Sequence, residues 1–315
     1  MFAIVSPFSQ SFDDIWFTYK IPDELKGILK LWHIVNIPFG KKKLYWIVIW
    51  ITIDTNFDKS KIKEINNIYS EDVFSYDYQV KLLIWISKYY FSLIHSSTSL
   101  FFPKNLVWKI IKNKFSFNKT LSNSTYKFEY YKTLNQNQQK VFNDIIESEK
   151  NKFLLYWITW SWKTEIYINL IKYYLDNAKQ SLLLVPEIIL TNQIFERIKK
   201  VFGPDVLIIN STVAESKKTL YFDMIYQSKA KIIIWTRSAL FYPYKDLWII
   251  IIDEEHDNSY ISDNTPRYNG IEIANQISNL TNCKLLLWSW TPKINHLYQR
   301  LKGEYKVLNL FNEFI

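Results

Sequence analysis

Residues 153–168, FLLYWITWSWKTEIYI, constrain the fold more than any other stretch of the chain. The apolar run 153–156 has the length of a buried strand, and Ile166, Leu170 and Ile171 carry the spacing of a helix. Between them, Trp157-Ile-Thr-Trp-Ser-Trp-Lys163-Thr164 must turn strand into helix within a few residues. Such an elbow needs unrestricted φ and close backbone approach, which glycine supplies and tryptophan does not. The composition is skewed at the same two residue types: the 315 residues include 5 Gly and 13 Trp, where glycine ordinarily makes up roughly 7%.

With glycine at Trp157, Trp160 and Trp162 the elbow reads Gly-Ile-Thr-Gly-Ser-Gly-Lys-Thr. That is the phosphate cradle in which backbone N–H groups wrap a nucleotide between a strand and a helix. Three indoles fill the space the phosphates need. The expectation is therefore that most of the tryptophans stand for glycines, from a gene whose UGA codons specify glycine. The alternative is a tryptophan-rich protein with a blocked loop. In the glycine reading, Trp157, Thr159, Trp160, Ser161, Trp162, Lys163 and Thr164 form an ATP site. Lys163 contacts the β- and γ-phosphates and Thr164 ligates Mg2+. Trp85 is different, because it fits the helical spacing of Leu82, Leu83, Ile86, Tyr89 and Tyr90 as an ordinary residue.

The length suits one large domain or two smaller ones. A net charge of +9 favours a polyanionic partner, most simply nucleic acid, although an A/T-biased genome also enriches lysine and asparagine. Cys283 is the single cysteine, which excludes an internal disulfide and a cysteine-cluster zinc site, and its place before Leu285–Leu287 suits a buried core thiol. The N-terminus lacks a basic segment followed by a long apolar core, and the apolar run 247–252 is too short to span a bilayer, so a cytoplasmic protein without a membrane partner is expected.

Residues 1–103 read as a small β-rich domain. Phe17-Thr-Tyr19-Lys-Ile-Pro22 alternates and stops at proline, and residues 33–50 read as two strands joined by the basic turn Lys41-Lys42-Lys43. That turn is either a phosphate clamp or a solvated hairpin tip. Trp32, Trp46 and Trp50 fall where glycines would make turns or bulges. Residues 104–133, rich in Lys, Asn, Ser and Thr without a sustained period, read as a basic linker or a poorly ordered segment. From residue 134 helices alternate with apolar strands: helix 138–149, strand 153–156, helix 163–176, strand 181–185, helix 190–201, strand 205–209, helix 214–228, strands 232–234 and 249–252, helix 270–279 and strand 284–287. This α/β pattern predicts a parallel sheet covered on both faces, with ligands at the carboxyl ends of the strands.

The chemistry-bearing residues fall just after those strands. Asp253-Glu254-Glu255-His256 follows strand 249–252, where Asp253 would hold Mg2+ through water and Glu254 would polarise the attacking water; by itself the run is equally a solvated acidic turn. His256 reads as a coupling residue. Ser289-Trp290-Thr291-Pro292 follows strand 284–287, with Trp288 at a glycine position, and resembles the Ser-Ala-Thr motif that links nucleotide state to nucleic acid in superfamily 2 helicases. Thr236-Arg237-Ser238 follows strand 232–234, and Gln138, ahead of the elbow, resembles an adenine-reading glutamine.

Taken together, Leu184-Val-Pro-Glu187-Ile-Ile-Leu-Thr191-Asn-Gln193, Thr236-Arg-Ser-Ala-Leu-Phe241, Asp253-Glu-Glu-His-Asp-Asn-Ser-Tyr260 and Pro266-Arg267-Tyr268 resemble the primosomal replication-restart helicases, the PriA family. Phe17-Thr-Tyr19, Pro38-Phe-Gly40 and the Trp85/Tyr89 helix are similar to that family's domain for the 3′ end of a nascent strand. The resemblance implies a RecA-like P-loop lobe at 134–315 behind a 3′-end DNA-binding domain at 1–103. It implies an ATP- and Mg2+-dependent 3′-5′ DNA helicase acting on single-stranded and forked DNA with primosome and single-strand-binding proteins. Glu187, Thr191 and Gln193 would lie near the single-stranded path, and Thr236, Arg237 and Ser238 would meet the DNA backbone. Tyr260, Arg267 and Tyr268 would belong to an aromatic loop coupling DNA to hydrolysis, by base stacking or as ordinary packing. Ser289 and Thr291 would relay nucleotide state.

The sequence departs from that family after Ile315: the second lobe with its arginine finger and the zinc module are expected but have no counterpart here, and the winged helix is reduced to 104–133 or lost. Weak hydrolysis by these residues alone is the corresponding expectation. Two other readings remain: a non-catalytic DNA-binding remnant with a blocked loop, and a P-loop ATPase acting on RNA.

Overall fold

The computed structural model describes residues 1–7, 16–39, 45–112, 114–117, 126, 132–156, 163–186, 193–203, 206–209, 213–289, 298 and 302–309. Two sheets organise it. The first is antiparallel, ordered β2-β1-β4-β3-β5 from β1 (Phe2–Pro7), β2 (Phe17–Lys20), β3 (Ile34–Asn36), β4 (Tyr45–Thr52) and β5 (Asn67–Ile68). Alternation decides its faces: Ala3 and Val5 point with Trp46 and Val48 into one small core, whereas Ile47 and Ile49 point the other way. A bulge between Ile4 and Val5 lies opposite Trp50, whose ring is exposed.

Trp32, just before β3, adopts φ +69°, the left-handed region that costs an L side chain roughly 1–2 kcal/mol. Its buried indole Nε1 has no hydrogen-bond partner among the described residues, while the ring packs on Phe101 and Phe102 at 5.4 and 5.3 Å.

Helix α1 (Asp77–Tyr89) joins this unit to the rest. Its Val80, Leu82, Leu83 and Ile86 enter an apolar core that also holds Ile47, Ile49, Phe241 and Ile271, so the two units share one interior. Polar side chains complete the joint. The Tyr76 hydroxyl donates to the Tyr226 carbonyl, and the Tyr226 hydroxyl donates to the Val73 carbonyl, both at 2.7 Å. Buried Gln79 donates from Nε2 to the Phe241 carbonyl at 2.8 Å, while its Oε1 accepts from the Ser75 hydroxyl and the Tyr76 N–H.

Two short helices follow, α2 (Ile94–Thr98) and α3 (Lys104–Ile111). The second lies in the stretch read from sequence as a basic linker or a poorly ordered segment. Pro103 starts it, and Leu106 and Ile110, four apart, bury one stripe against the shared core. Phe115 and Phe117 continue that attachment, Phe117 stacking on Tyr226 at 4.5 Å. The lysines that dominate the composition of this stretch hid a two-residue apolar anchor.

The second sheet is parallel throughout, ordered β12-β6-β11-β10-β7-β9-β8. Its strands are β6 (Lys152–Tyr156), β7 (Gln180–Leu184), β8 (Leu207–Ile209), β9 (Ile232–Trp235), β10 (Leu247–Ile252), β11 (Lys284–Ser289) and β12 (Lys306–Asn309). Helices α4 (Gln136–Glu147), α5 (Lys163–Asp176), α6 (Gln193–Phe202), α7 (Glu215–Tyr226) and α8 (Gly270–Thr281) connect and cover them. Ile249–Ile252 and Leu285–Leu287 are completely buried, as a strand covered on both faces requires. Each such side chain contributes about 1.5–3 kcal/mol on leaving water. Cys283 is buried, and its thiol is pushed up to about 12 by desolvation. Among the described residues no helix is long and apolar enough to cross a membrane.

Candidate functional site

Strand order builds the site. β6 ends at Tyr156, α5 starts at Lys163, β10 ends at Ile252 just before Asp253, and β11 lies between β6 and β10, so the start of α5 faces the acidic run across a single strand. Lys163, the first residue of α5, is 7% exposed. Its Nζ donates to Asp253 Oδ1 and to Glu254 Oε1, each at 2.8 Å.

Asp253 is fully buried, and desolvation raises its carboxyl above the usual carboxylate range even though Lys163 opposes the shift. Burial raises Glu254 in the same direction. Glu254 also adopts φ +49°, a left-handed strain just after the end of β10. Asp253 Oδ2 is buried without a hydrogen-bond partner among the described residues. A buried carboxylate oxygen with an unused lone pair is the donor type a hard cation uses, so Asp253 would suit Mg2+ once Lys163 has left it.

Two tyrosines brace Asp253. Tyr167, one helical turn beyond Lys163, donates to Asp253 Oδ1 at 3.1 Å. Tyr260 donates to the Asp253 carbonyl at 2.6 Å and lies 3.2 Å from the Leu184 carbonyl, tying the ends of β10 and β7 together. Sequence reasoning missed Tyr167. Its apolar spacing marks a core position, and nothing local tells that its hydroxyl reaches a carboxylate 86 positions away.

Tyr260 and Tyr268 are 1% and 5% exposed, Tyr268 packing edge-on against Phe241 at 5.0 Å. Neither ring is open to a base, so stacking by these two residues is corrected to packing and hydrogen bonding inside the fold. Arg237 is half-buried and donates to the Ser259 carbonyl. Thr236 is buried, and within its motif Ser238 is the exposed residue. Gly270 makes this packing possible, since a Cβ there would lie 3.3 Å from both Arg237 Cβ and the Tyr260 carbonyl. Arg267 is exposed.

His256 Nδ1 lies 2.9 Å from Ser289 Oγ and 3.7 Å from Glu254 Oε2, which joins the acidic run to the end of β11. Gln138 is buried, and its Oε1 accepts from the Asn135 N–H at 2.9 Å while Asn135 caps α4 in return. Oε1 of Gln138 is thus committed to a capping box, and Gln136 and Gln139 line the open groove beside it. Lys41, Lys42, Lys43, Trp157, Thr159, Trp160, Ser161, Trp162, Glu187, Thr191 and Thr291 lie outside the described residues, as does the side chain of Gln193.

Trp288 sits in β11 between the two halves of the site. Its ring centroid is 3.5 Å from Lys163 Nζ, and its buried Nε1 has no hydrogen-bond partner among the described residues. At that distance the ammonium of Lys163 lies against the face of the indole as a cation–π pair.

A second concavity, of about 670 Å³, lies in the antiparallel unit. Trp16, Phe17, Pro38, Phe39 and Phe57 line it, with Lys61 and Lys63 at its border. Flat rings beside lysines suit an unpaired nucleotide.

The profile described as "DEAD/DEAH box helicase" matches residues 135–298, more than half of the chain. The chain belongs to the DEAD/DEAH box helicase family. The profile described as "3'DNA-binding domain (3'BD)" of PriA matches residues 9–103. The chain is 34% identical over 296 residues to the replication restart protein PriA of Rickettsia felis, an alignment spanning 94% of this chain and 44% of that protein. It is also 34% identical to the PriA of Helicobacter pylori J99, over 89% of this chain and 41% of that protein. The chain thus spans less than half the length of these relatives. Among solved structures, the UvsW helicase of bacteriophage T4 aligns with 60% of this chain and 64% of its own at 18% identity and a TM-score of 0.42.

Proposed function

We propose that the chain forms the DNA-gripping and nucleotide-binding part of a replication-restart helicase. The observation that carries this is the convergence of Lys163, Tyr167, Asp253 and Glu254 at the carboxyl edge of the parallel sheet. Lys163 leaves its two carboxylates to meet the β- and γ-phosphates of ATP. Thr164 and Asp253 hold Mg2+, with Tyr167 fixing the orientation of Asp253. Bound Mg2+ neutralises charge on the transferring phosphoryl group. Glu254, made more basic by burial, polarises the attacking water. His256 and Ser289 relay the state of this site, and Tyr260 and Arg237 pass it to the 257–268 loop. The groove around Trp16 and Phe57 takes the 3′ end of a strand, on forked DNA and beside primosome and single-strand-binding proteins.

The proposal includes glycine at positions 157, 160, 162 and 288 of the natural protein. Trp288 supports it, being buried, without a partner for Nε1 among the described residues, and set over Lys163. Taken with tryptophan throughout, the same geometry supports a DNA-binding protein that takes no nucleotide.

The test measures a fluorescent ATP analogue with Mg2+ against the literal chain and against the chain with glycine at these four positions. The proposal expects binding by the second and none by the first. Equal failure of both removes the nucleotide site. In competition, forked DNA with a free 3′ end should displace a labelled oligonucleotide and duplex RNA should not; the reverse order assigns the lobe to RNA.

A further inference from the structure

Lysine stands at the start of six neighbouring strands of the parallel sheet. In sheet order these are Lys306 opening β12, Lys152 opening β6, Lys284 opening β11, Lys245 two residues before β10, Lys179 just before β7 and Lys231 just before β9. The strands all run the same way, so the six lie along the amino edge, opposite the carboxyl edge that holds Asp253 and Ser289. Strands sit about 4.8 Å apart, which makes a row roughly 24 Å long. Of the six, Lys306 alone is ion-paired among the described residues, with Asp144 at 2.8 Å. Lys284 and Lys231 donate to the carbonyls of Ser148 and Ala178, at 2.8 Å each. Burial lowers the pKa of Lys231, and although Asp246 opposes the shift, the charges of Lys179 and Lys245 deepen it. Lys284 is lowered by burial and then by Lys306. Gathering like charges in this way is unfavourable to the fold, so stability does not explain the row.

We propose that the amino edge of the lobe is a docking surface for the phosphate backbone of double-stranded DNA, separate from the nucleotide site and from the aromatic groove of the antiparallel unit. Charge complementarity chooses the class of partner. Protein interfaces are depleted of lysine and centre on apolar side chains, whereas lysine is a regular phosphate contact. Stiffness chooses the form. A duplex carries one charge per about 1.7 Å and is straight over roughly 24 Å, so it meets a row fixed by rigid strands without being reshaped. A single strand would want open rings for its bases. Trp248, at the β10 bulge, is an exposed aromatic on this edge, and Lys179 Nζ lies 4.7 Å from its ring centroid. That face of the ring is occupied by an ammonium. Glycine is also at home at a bulge, and the lysine row does not depend on which residue stands at 248. The contact carries no sequence preference, since backbone contacts position a duplex and base contacts specify it.

The experiment uses the full chain without nucleotide and a DNA dumbbell, a duplex closed by loops at both ends, which offers the aromatic groove no 3′ end. Affinity is measured by fluorescence anisotropy between about 50 and 200 mM salt. Lys152→Gln with Lys179→Gln and Lys245→Gln should weaken binding about 10- to 100-fold and reduce the slope of log affinity against log salt by about 2 to 3. The matching arginine variant should bind as the parent does. Glutamine at Lys81, Lys112 and Lys217, exposed lysines elsewhere, removes the same charge and should weaken binding less than about threefold. The proposal is overturned if the parent does not bind the dumbbell, if the control variant loses as much as the edge variant, or if the arginine variant falls with the glutamine one. It is also overturned if the edge substitutions weaken binding of a closed single-stranded circle or of poly-glutamate but not of the dumbbell, which would make the occupant an unpaired strand or an acidic protein segment. None of these outcomes depends on whether the nucleotide site fills.

Discussion

Helix α1 and the carboxyl edge of the parallel sheet both carry tryptophan, with opposite physical consequences. On α1, Trp85 lies at a helical position, half-buried, and stacks on Tyr89 at 4.5 Å with the rings 16° apart. The helix loses nothing by holding it, and the stack is worth about 0.5–1.5 kcal/mol. At the sheet edge, Trp288 is buried, its Nε1 has no hydrogen-bond partner among the described residues, and its ring covers Lys163. Trp32 repeats that conflict in the antiparallel unit, held in a left-handed conformation. One letter of the sequence therefore stands for a fitting aromatic in one region and for a misfit in the other. The misfits fall at a left-handed backbone position and beside the lysine of the proposed nucleotide site.

The most forceful way to break this contrast is substitution at both places. Glycine at 157, 160, 162 and 288 should raise affinity for an Mg2+–ATP analogue by at least about 100-fold, about 2.7 kcal/mol. Trp85→Gly should leave nucleotide affinity unchanged and lower stability by roughly 1 kcal/mol for the helical glycine plus the lost stack. Fluorescence titration and urea unfolding read the two effects; a gain in nucleotide affinity from Trp85→Gly would erase the distinction.

Next in size is the joint between the regions. Gln79→Ala strips partners from the Phe241 carbonyl and the Tyr76 N–H, so a loss of about 1–3 kcal/mol in urea unfolding is expected. A change inside error would mean that α1 is not holding the two units together. Tyr167→Phe is subtler: the loss of one hydrogen bond to Asp253 should weaken Mg2+–analogue binding by about fivefold, near 1 kcal/mol, with little effect on DNA affinity.

The smallest effect is a dependence on pH. Burial raises the pKa of Asp253 and Glu254 in the folded chain, so the folded state holds protons that the unfolded state has released. The resulting stabilisation is complete below the unfolded carboxylate values and is lost as pH rises through the raised ones. Unfolding free energy of the nucleotide-free chain should therefore fall with rising pH just above the ordinary carboxylate range. Asp253→Asn should remove part of that slope, and an unchanged slope would contradict the burial assigned to Asp253.

How far the sequence alone reaches differs between the two regions for the same reason. In the lobe, uninterrupted apolar runs such as Ile249–Ile252 and the helical period of Ile166, Leu170 and Ile171 declare their elements, and strand ends locate Asp253 and Ser289. Helix α3 escaped because a single buried pair, Leu106 and Ile110, anchors it within a lysine-rich stretch. β12 escaped because it is a short edge strand after a turn. At the site, sequence spacing placed Lys163 opposite Asp253 but could not orient side chains. Tyr260 and Tyr268 look like open aromatics in a loop and are interior braces, and Gln138 turns to its own helix start. Partner choice across dozens of residues is set by packing, which local pattern does not record.

The most direct measurement is peptide sequencing, by mass spectrometry, of the protein isolated from the cell that makes it, across residues 153–168 and 284–289. The account predicts glycine at 157, 160, 162 and 288 together with tryptophan at 85. Tryptophan at all five would contradict it and leave a helicase-shaped protein whose nucleotide site is closed.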